Sequence, residues 1–526
     1  MTVPELRPWR AAGPHVVRVA HAVRPRLARA AAAARPRVAR LARASKPQVR
    51  HAMARTWQYT AGAAAAGLAL AAGVVAATGP WDSSGQRTAE RDRAAAHERA
   101  RGADHGRTSA PVPGAPRPAP SAAAVLTGLG GVSTVKSAPD GRALTGLLKP
   151  LLTAPALGAR HSAAVVDVTT GRRLYGAGAG DALTPASTTK IATAVAALSA
   201  LGADHRIPTR AALEPDTNEV VLVGGGDPTL TARKDAGDSA SLRALAGRTA
   251  GALAQRGIRE VTLSYDKTLY AGSERHPIGV NDNLAPVSAL MADEGRTDDS
   301  TSGPAPRVPD PAAEAARTFG DLLGDHGIKA RAPGPSKAST RATTLATVSS
   351  PPLSALVERM LTHSDNDIAE ALARQTAIAA GKRADFAGAG QAIRAQLTGL
   401  GLPVKGSAFK DGSGLDRAGR LSADALTALL VKSADPAHPE LRPVLTGLPV
   451  AGFTGTLASR YADGAAGVVR AKTGTLTGVN ALAGTVVDRH GRLLAFAFLA
   501  TGTQDATTAQ SALDKAATAL ADCGCR

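Results

Sequence analysis

Seventeen consecutive residues without a charge, Ala61 to Ala77 (AGAAAAGLALAAGVVAA), constrain this 526-residue chain more than any other feature. Their length is at the short end for a helix that crosses a bilayer. Trp57 and Tyr59 flank one end and Trp81 the other, where interfacial aromatics sit. A helix from Trp57 to Trp81, at ~1.5 Å per residue, reaches roughly 36 Å. Twelve arginines and Lys46 precede the stretch against one acid, Glu5, so the first sixty residues hold +12 of the total +19. The positive-inside rule then puts the N-terminus in the cytoplasm and the rest of the chain outside. A cleaved signal peptide ending at Val75-Ala76-Ala77 and a buried Ala-rich helix are the alternatives. The basic region is far longer than a signal's own, which favours an uncleaved anchor.

Subtracting the tail leaves +7 on the remaining 466 residues. The high charge therefore orients an anchor near anionic lipid heads and gives little support to nucleic acid as a partner. The expected organisation is a basic disordered tail over 1–60, a transmembrane helix over 61–78 and a Pro-rich stalk over 79–121. A folded part follows from residue 122. Aromatics make up only 3% of the chain, so Ala, Leu and Val must fill its core. The two cysteines, Cys523 and Cys525, exclude a disulfide scaffold and a four-cysteine zinc site. A bond between them would close almost no loop, so free thiols are expected.

Within the folded part, SAAVVDV, Thr169-Thr170-Gly171 and RRLYG read as strand, turn and strand. A helix follows, with Pro185 and Ser187 at its start and Ile191, Ala194, Val195, Leu198 and Leu201 at helical spacing. From about 203 to 352, strand runs (EVVLVGGG, EVTLSYD) alternate with helical runs, which predicts an inserted α/β unit. Two helices flank Ser364, the second starting at about Asp367 with a capping box to Glu370. Three C-terminal strand runs (VVRAKTGT, NALAGTVVD, LLAFAFLATG) and a final helix complete the chain. Early and late strands are expected to share one antiparallel sheet.

Ser-x-x-Lys occurs at Ser187/Lys190, Ser133/Lys136, Ser264/Lys267 and Ser407/Lys410. A lysine amine reaches a serine hydroxyl three residues earlier when both lie on one helix face. Only Ser187 opens a long apolar-periodic helix. Ser364-Asp365-Asn366, at a helix junction, and Lys472-Thr473-Gly474, on a strand and followed by Thr475, come later in order and occur once each. Together the three motifs match the signature of penicillin-binding proteins and class A β-lactamases.

Further stretches point to one branch: TPASTTKI around Ser187, LVGGGDPTL at 222–230, APVSALMADEGR at 285–296, KDGSGLDR at 410–417 and PVAGFTGTLASR at 449–460. With these the chain resembles the D-alanyl-D-alanine carboxypeptidase/endopeptidase family of penicillin-binding proteins, the low-molecular-mass class C or type-4 group. The resemblance implies an α/β (α+β) fold: a transpeptidase domain with a five-stranded antiparallel sheet flanked by helices, formed by 122–202 and 353–526, plus an inserted smaller α/β domain over 203–352. Only 173 residues separate Lys190 from Ser364, which fits one insertion rather than two nested ones.

The same resemblance implies site roles. Ser187 is the nucleophile, Lys190 its base, and Ser364 the proton relay. Asn366 holds the peptide and Lys190, while Lys472, Thr473, Gly474 and Thr475 receive the substrate's terminal carboxylate. Backbone N–H groups of Ser187 and Thr475 form the oxyanion hole. A neutral Lys190 needs its pKa lowered from ~10.4, by Lys472 nearby and by partial burial. Asp227 is a candidate for the amine of a diamino-acid side chain in the stem peptide, with a plain turn aspartate as the alternative. No metal or cofactor is implied; the partners are peptidoglycan stem peptides and β-lactam antibiotics at the outer face of the cell membrane. A class A-like β-lactamase and a non-catalytic penicillin sensor remain as rival readings.

Overall fold

Strand runs whose two faces are both apolar need cover on both sides, and that need organises the molecule. In a computed structural model, residues 141–461 and 464–524 are described. The tail, membrane helix and stalk expected over 1–121 lie outside them. Among the described residues, no helix is long and apolar enough to cross a membrane.

The first sheet has the order β2-β1-β10-β9-β8, from β1 (Arg160–Asp167), β2 (Arg173–Ala177), β8 (Val469–Leu476), β9 (Val479–Val487) and β10 (Leu493–Thr501). All its pairings are antiparallel, so early and late strands do share a sheet. Side chains alternate across it with period two. Ala481, Ala483, Ala495, Ala497 and Leu499 face a helical layer. Leu482, Val486, Leu494, Phe496 and Phe498 face the opposite way, onto α1 (Gly141–Leu152) and the C-terminal helix. The small alanines let helices approach the sheet closely, while two of the chain's few phenylalanines fill the other side.

That helical layer contains α2 (Thr189–Leu201), α5 (Leu353–His363), α6 (Asn366–Ala379), α7 (Phe386–Gly399) and α8 (Ala423–Ala434). The sequence suggested an apolar stripe on α2. Instead every residue from Thr189 to Leu198 is buried, Lys190 included, because the helix is packed on all sides. The second sheet, β6-β5-β4-β3-β7, is built from β3 (Pro208–Leu213), β4 (Glu219–Val223), β5 (Glu260–Asp266), β6 (Lys329–Pro335) and β7 (Thr343–Ser349). β4, β5 and β6 run parallel; β3 pairs antiparallel with both its neighbours. It packs its own core with α3 (Leu242–Gln255) and α4 (Pro311–Asp325). The chain ends in α9 (Ala506–Ala521).

Two local expectations are corrected. The cap of α6 is Asp365, whose carboxylate accepts from the Ile368 N–H at 3.0 Å. Asp367 and Glu370 do not form a capping box, because both are buried and hold other segments. Cys523 is not a free thiol: it is buried against α9 and disulfide-bonded.

Candidate active site

Ser187 lies in a single 3-10 turn, Ala186–Thr188, that runs directly into α2. Ala186 has φ 47°, a left-handed conformation unusual for a residue with a side chain. It is held there by close packing. A Cβ on Gly414 would stand 2.0 Å from the Ala186 carbonyl, and one on Gly474 2.7 Å from that of Pro185. Two later segments thus clamp the nucleophile's turn, and β8, at the edge of its sheet, lies beside it.

The i, i+3 spacing works as the sequence requires. Lys190 Nζ donates to Ser187 Oγ at 3.1 Å, Asn366 Oδ1 at 2.6 Å and the Ser413 carbonyl at 2.8 Å. The Asn366 orientation is fixed because its amide nitrogen donates to the Asn283 carbonyl at 2.9 Å. Burial pushes the Lys190 amine down to about 8, against the carboxylates of Asp411, Asp365, Glu370 and Asp367. Complete burial, rather than the neighbouring lysine, is therefore the main cause. A neutral amine has two N–H bonds and one lone pair. The amide oxygen and the carbonyl can only accept, so the lone pair is left for the Ser187 hydroxyl.

Ser364 sits at the end of α5 in the left-handed region, φ 59°. That turn aims its Oγ at Lys472 Nζ, which donates to it at 2.8 Å and to the Thr473 carbonyl at 2.8 Å. Lys472 is fully buried. Burial first, then the charges of Lys190 and Arg460, pushes its amine well below the usual lysine range. Thr473 Oγ1 donates to Thr456 Oγ1 at 3.1 Å, and Gln510 donates to Thr475 Oγ1 at 3.3 Å. Ser187, Ser364, Asn366, Thr473 and Thr475 line one cleft of about 300 Å³. A larger cavity of about 1050 Å³, between Val166, Leu402 and Val431, holds none of the motif residues.

Asp227 does not join them. It is buried, and its Oδ1 accepts from the Thr229 N–H at 2.8 Å and the Thr229 hydroxyl at 2.7 Å, the turn-aspartate alternative. Burial raises its carboxyl to about 6. The glycines before it serve close approach: a Cβ on Gly224 would lie 2.3 Å from the Ala289 carbonyl, and one on Gly225 1.7 Å from that of Pro208.

Arg296 and Arg307 also line the cleft. Arg307 pairs with Asp367 at 2.9 Å; Arg296 and Arg359 pair with Glu294 at 2.8 and 2.7 Å. Burial, with Asp365 and Asp367 close by, pushes Glu294 up to about 9. Behind Lys190, His276, Glu370 and Asp411 lie within 4.8 Å of one another. Glu370 there accepts from the Gly412 and Ser413 N–H groups, so the cluster reads as a hydrogen-bonded charge network. These residues carried no catalytic motif. Glu294 and Arg296 fall in the stretch APVSALMADEGR and Asp411 in KDGSGLDR, whereas His276, Arg307 and Arg359 fall in none of the stretches singled out in the sequence.

The chain matches the model of the D-Ala-D-Ala carboxypeptidase 3 (S13) family over residues 144–307 and 297–520. It belongs to that family. A carboxypeptidase of Mycobacterium tuberculosis is 35% identical over 424 residues, covering 78% of this chain and 90% of the relative. Carboxypeptidase DacB of Mycolicibacterium smegmatis is 36% identical over 426 residues, covering 78% and 90%. Penicillin binding protein 4 of Haemophilus influenzae shares the fold at a TM-score of 0.58 and 21% identity, covering 71% of this chain and 97% of the other. The S13 membership and these relatives make the chain a serine-type D-Ala-D-Ala carboxypeptidase with a mixed, two-sheet α/β fold.

Proposed function

We propose that the carboxypeptidase reaction runs through Ser187 and that its substrate is the D-Ala-D-Ala end of peptidoglycan stem peptides. The observation that carries this reading is the hydrogen-bond set of Lys190, two obligate acceptors and the Ser187 hydroxyl. Ser187 Oγ attacks the carbonyl carbon between the two D-alanines, and its proton passes to Lys190 Nζ. Ser364, bonded to Lys472, relays a proton to the nitrogen of the departing D-alanine as the C–N bond breaks. Lys472, Thr473 and Thr475 receive the terminal carboxylate. Gly474 keeps β8 against the nucleophile's turn, and the backbone N–H groups of Ser187 and Thr475 stabilise the oxyanion. Water then hydrolyses the ester.

A β-lactam presents the same amide in a ring and would leave a slow acyl-enzyme on Ser187. Fluorescent penicillin labelling of wild type and Ser187→Ala, with D-alanine release from a pentapeptide, tests the assignment. Persistent label and release in wild type, with neither in the variant, is expected. Release from Ser187→Ala at the native rate would sink it.

The chain is further read as a single-pass protein anchored in the cell membrane by 61–78, with residues 203–352 inserted between the two parts of an extracytoplasmic catalytic domain. Recovery of the full chain in the soluble fraction after cell lysis would contradict the anchor.

A further inference from the structure

The turn that meets Lys190 from behind is held by buried charge on both sides. Asp411 Oδ1 accepts from the Gly414 N–H at 2.9 Å; its Oδ2 accepts from the Asp416 N–H at 2.7 Å and the Ser413 hydroxyl at 3.2 Å. Across the turn, Glu370 on α6 accepts from the Gly412 and Ser413 N–H groups, and Thr193 on α2 donates to the Gly412 carbonyl at 2.6 Å. So fixed, the Ser413 carbonyl accepts from Lys190 Nζ. The same turn places the Asp411 carboxylate, held by its three donors, behind the lysine. Its charge favours the ammonium form of Lys190 more than that of Asp365, Glu370 or Asp367 does.

His276 stands on the far side of Asp411. Its Nε2 lies 3.0 Å from Asp411 Oδ2, and both side chains are 2% exposed. The residue comes from the stretch between β5 and α4, not from any of the elements that bear the three motifs. Its ring meets Phe386 edge-on at 5.1 Å, and Phe386 in turn lies under the Arg374 guanidinium at 4.1 Å. The charged groups facing the imidazole are Asp411, Glu370 and Asp416; those facing Lys190 are the four carboxylates named above and Lys472.

We propose that His276 is a positioning residue for the reaction: as an imidazolium paired with Asp411, it offsets the carboxylate behind Lys190 and so lets the lysine serve as a neutral base. This rests on the reading of Lys190 as the base of Ser187. Burial opposes protonation of His276, but the hydrogen bond to Asp411 and the charges of Glu370, Asp411 and Asp416 outweigh it and raise its pKa. Without the positive charge, Asp411 would bear on Lys190 uncompensated. A residue outside the three motifs would then govern how much free base the site holds.

The test is the second-order rate of acylation of the full chain by a fluorescent penicillin, followed from pH 5.5 to 10. In His276→Gln, which keeps an N–H for Asp411 but no charge, the acidic limb should move up by about one unit. Acylation at pH 7 should then be about tenfold slower, with the rate above the limb unchanged. Asp411→Asn should move the limb the opposite way; should that variant not fold, the His276→Gln profile alone decides. A His276→Gln limb that coincides with wild type, or a rate reduced by one factor at every pH, overturns the proposal. Ser187→Ala separates the two levels. Label on that variant sinks the nucleophile assignment, whereas its absence beside an unmoved His276→Gln limb sinks only the role of His276.

Discussion

Acylation should rise with pH as Lys190 loses its proton, and the structure sets where. A free lysine amine titrates at 10.5; here burial, working against four carboxylates that favour the charged form, pushes it down to about 8. The difference, 10.5 minus 8, disfavours the buried ammonium by roughly 3 kcal/mol. At pH 7 an unshifted lysine is neutral in roughly one molecule in 3,000, and this one in roughly one in ten, a gain of about 300-fold in available base. The second-order rate of labelling by a fluorescent penicillin should therefore climb about tenfold per unit below pH 8 and level off above it. A profile flat from pH 6 to 10, or one still climbing past pH 10, would refute the argument that burial makes Lys190 the base. The stability consequence follows from the same lowered pKa. The native state binds fewer protons than the unfolded chain between about 8 and 10.5, so this group's contribution to stability improves as pH rises through that window and is worst below it.

Three further outcomes are expected. Gly414→Ala places a Cβ 2.0 Å from the Ala186 carbonyl at a φ of +82°, so acylation should fall by more than about tenfold and thermal stability should drop, as a penicillin-labelling assay and a melting curve would show. Asp365→Ala removes the cap of α6 and should cost about 1–2 kcal/mol in denaturant unfolding. Phe496→Ala, on the sheet face turned away from α2, should cost about 3–5 kcal/mol while leaving the acylation rate per folded molecule near wild type.

The parts legible in the sequence were those set by short-range geometry. Ser187 and Lys190 lie one helical turn apart, and that spacing alone brings amine to hydroxyl once α2 forms. The apolar runs of β9 and β10 marked them as strands, but which layer each of their faces would meet was not legible. The Thr169-Thr170-Gly171 hairpin was likewise local. The helix start was misplaced by two residues: the sequence offered Asp367 as the cap, but Asp365 caps α6 and Asp367 is drawn into the pair with Arg307.

By itself the sequence determined the three motifs, their order, and hence the kind of chemistry the chain carries. Tertiary structure decided what surrounds them. The Ser413 carbonyl reaches Lys190 across 223 residues of sequence, and Lys472 reaches Ser364 across 108. It also buried Asp227 in a turn with Thr229 and set His276 against Asp411. The physical reason is that burial and the pairing of buried charge depend on which distant segments exclude water together, and no periodicity along the chain records that.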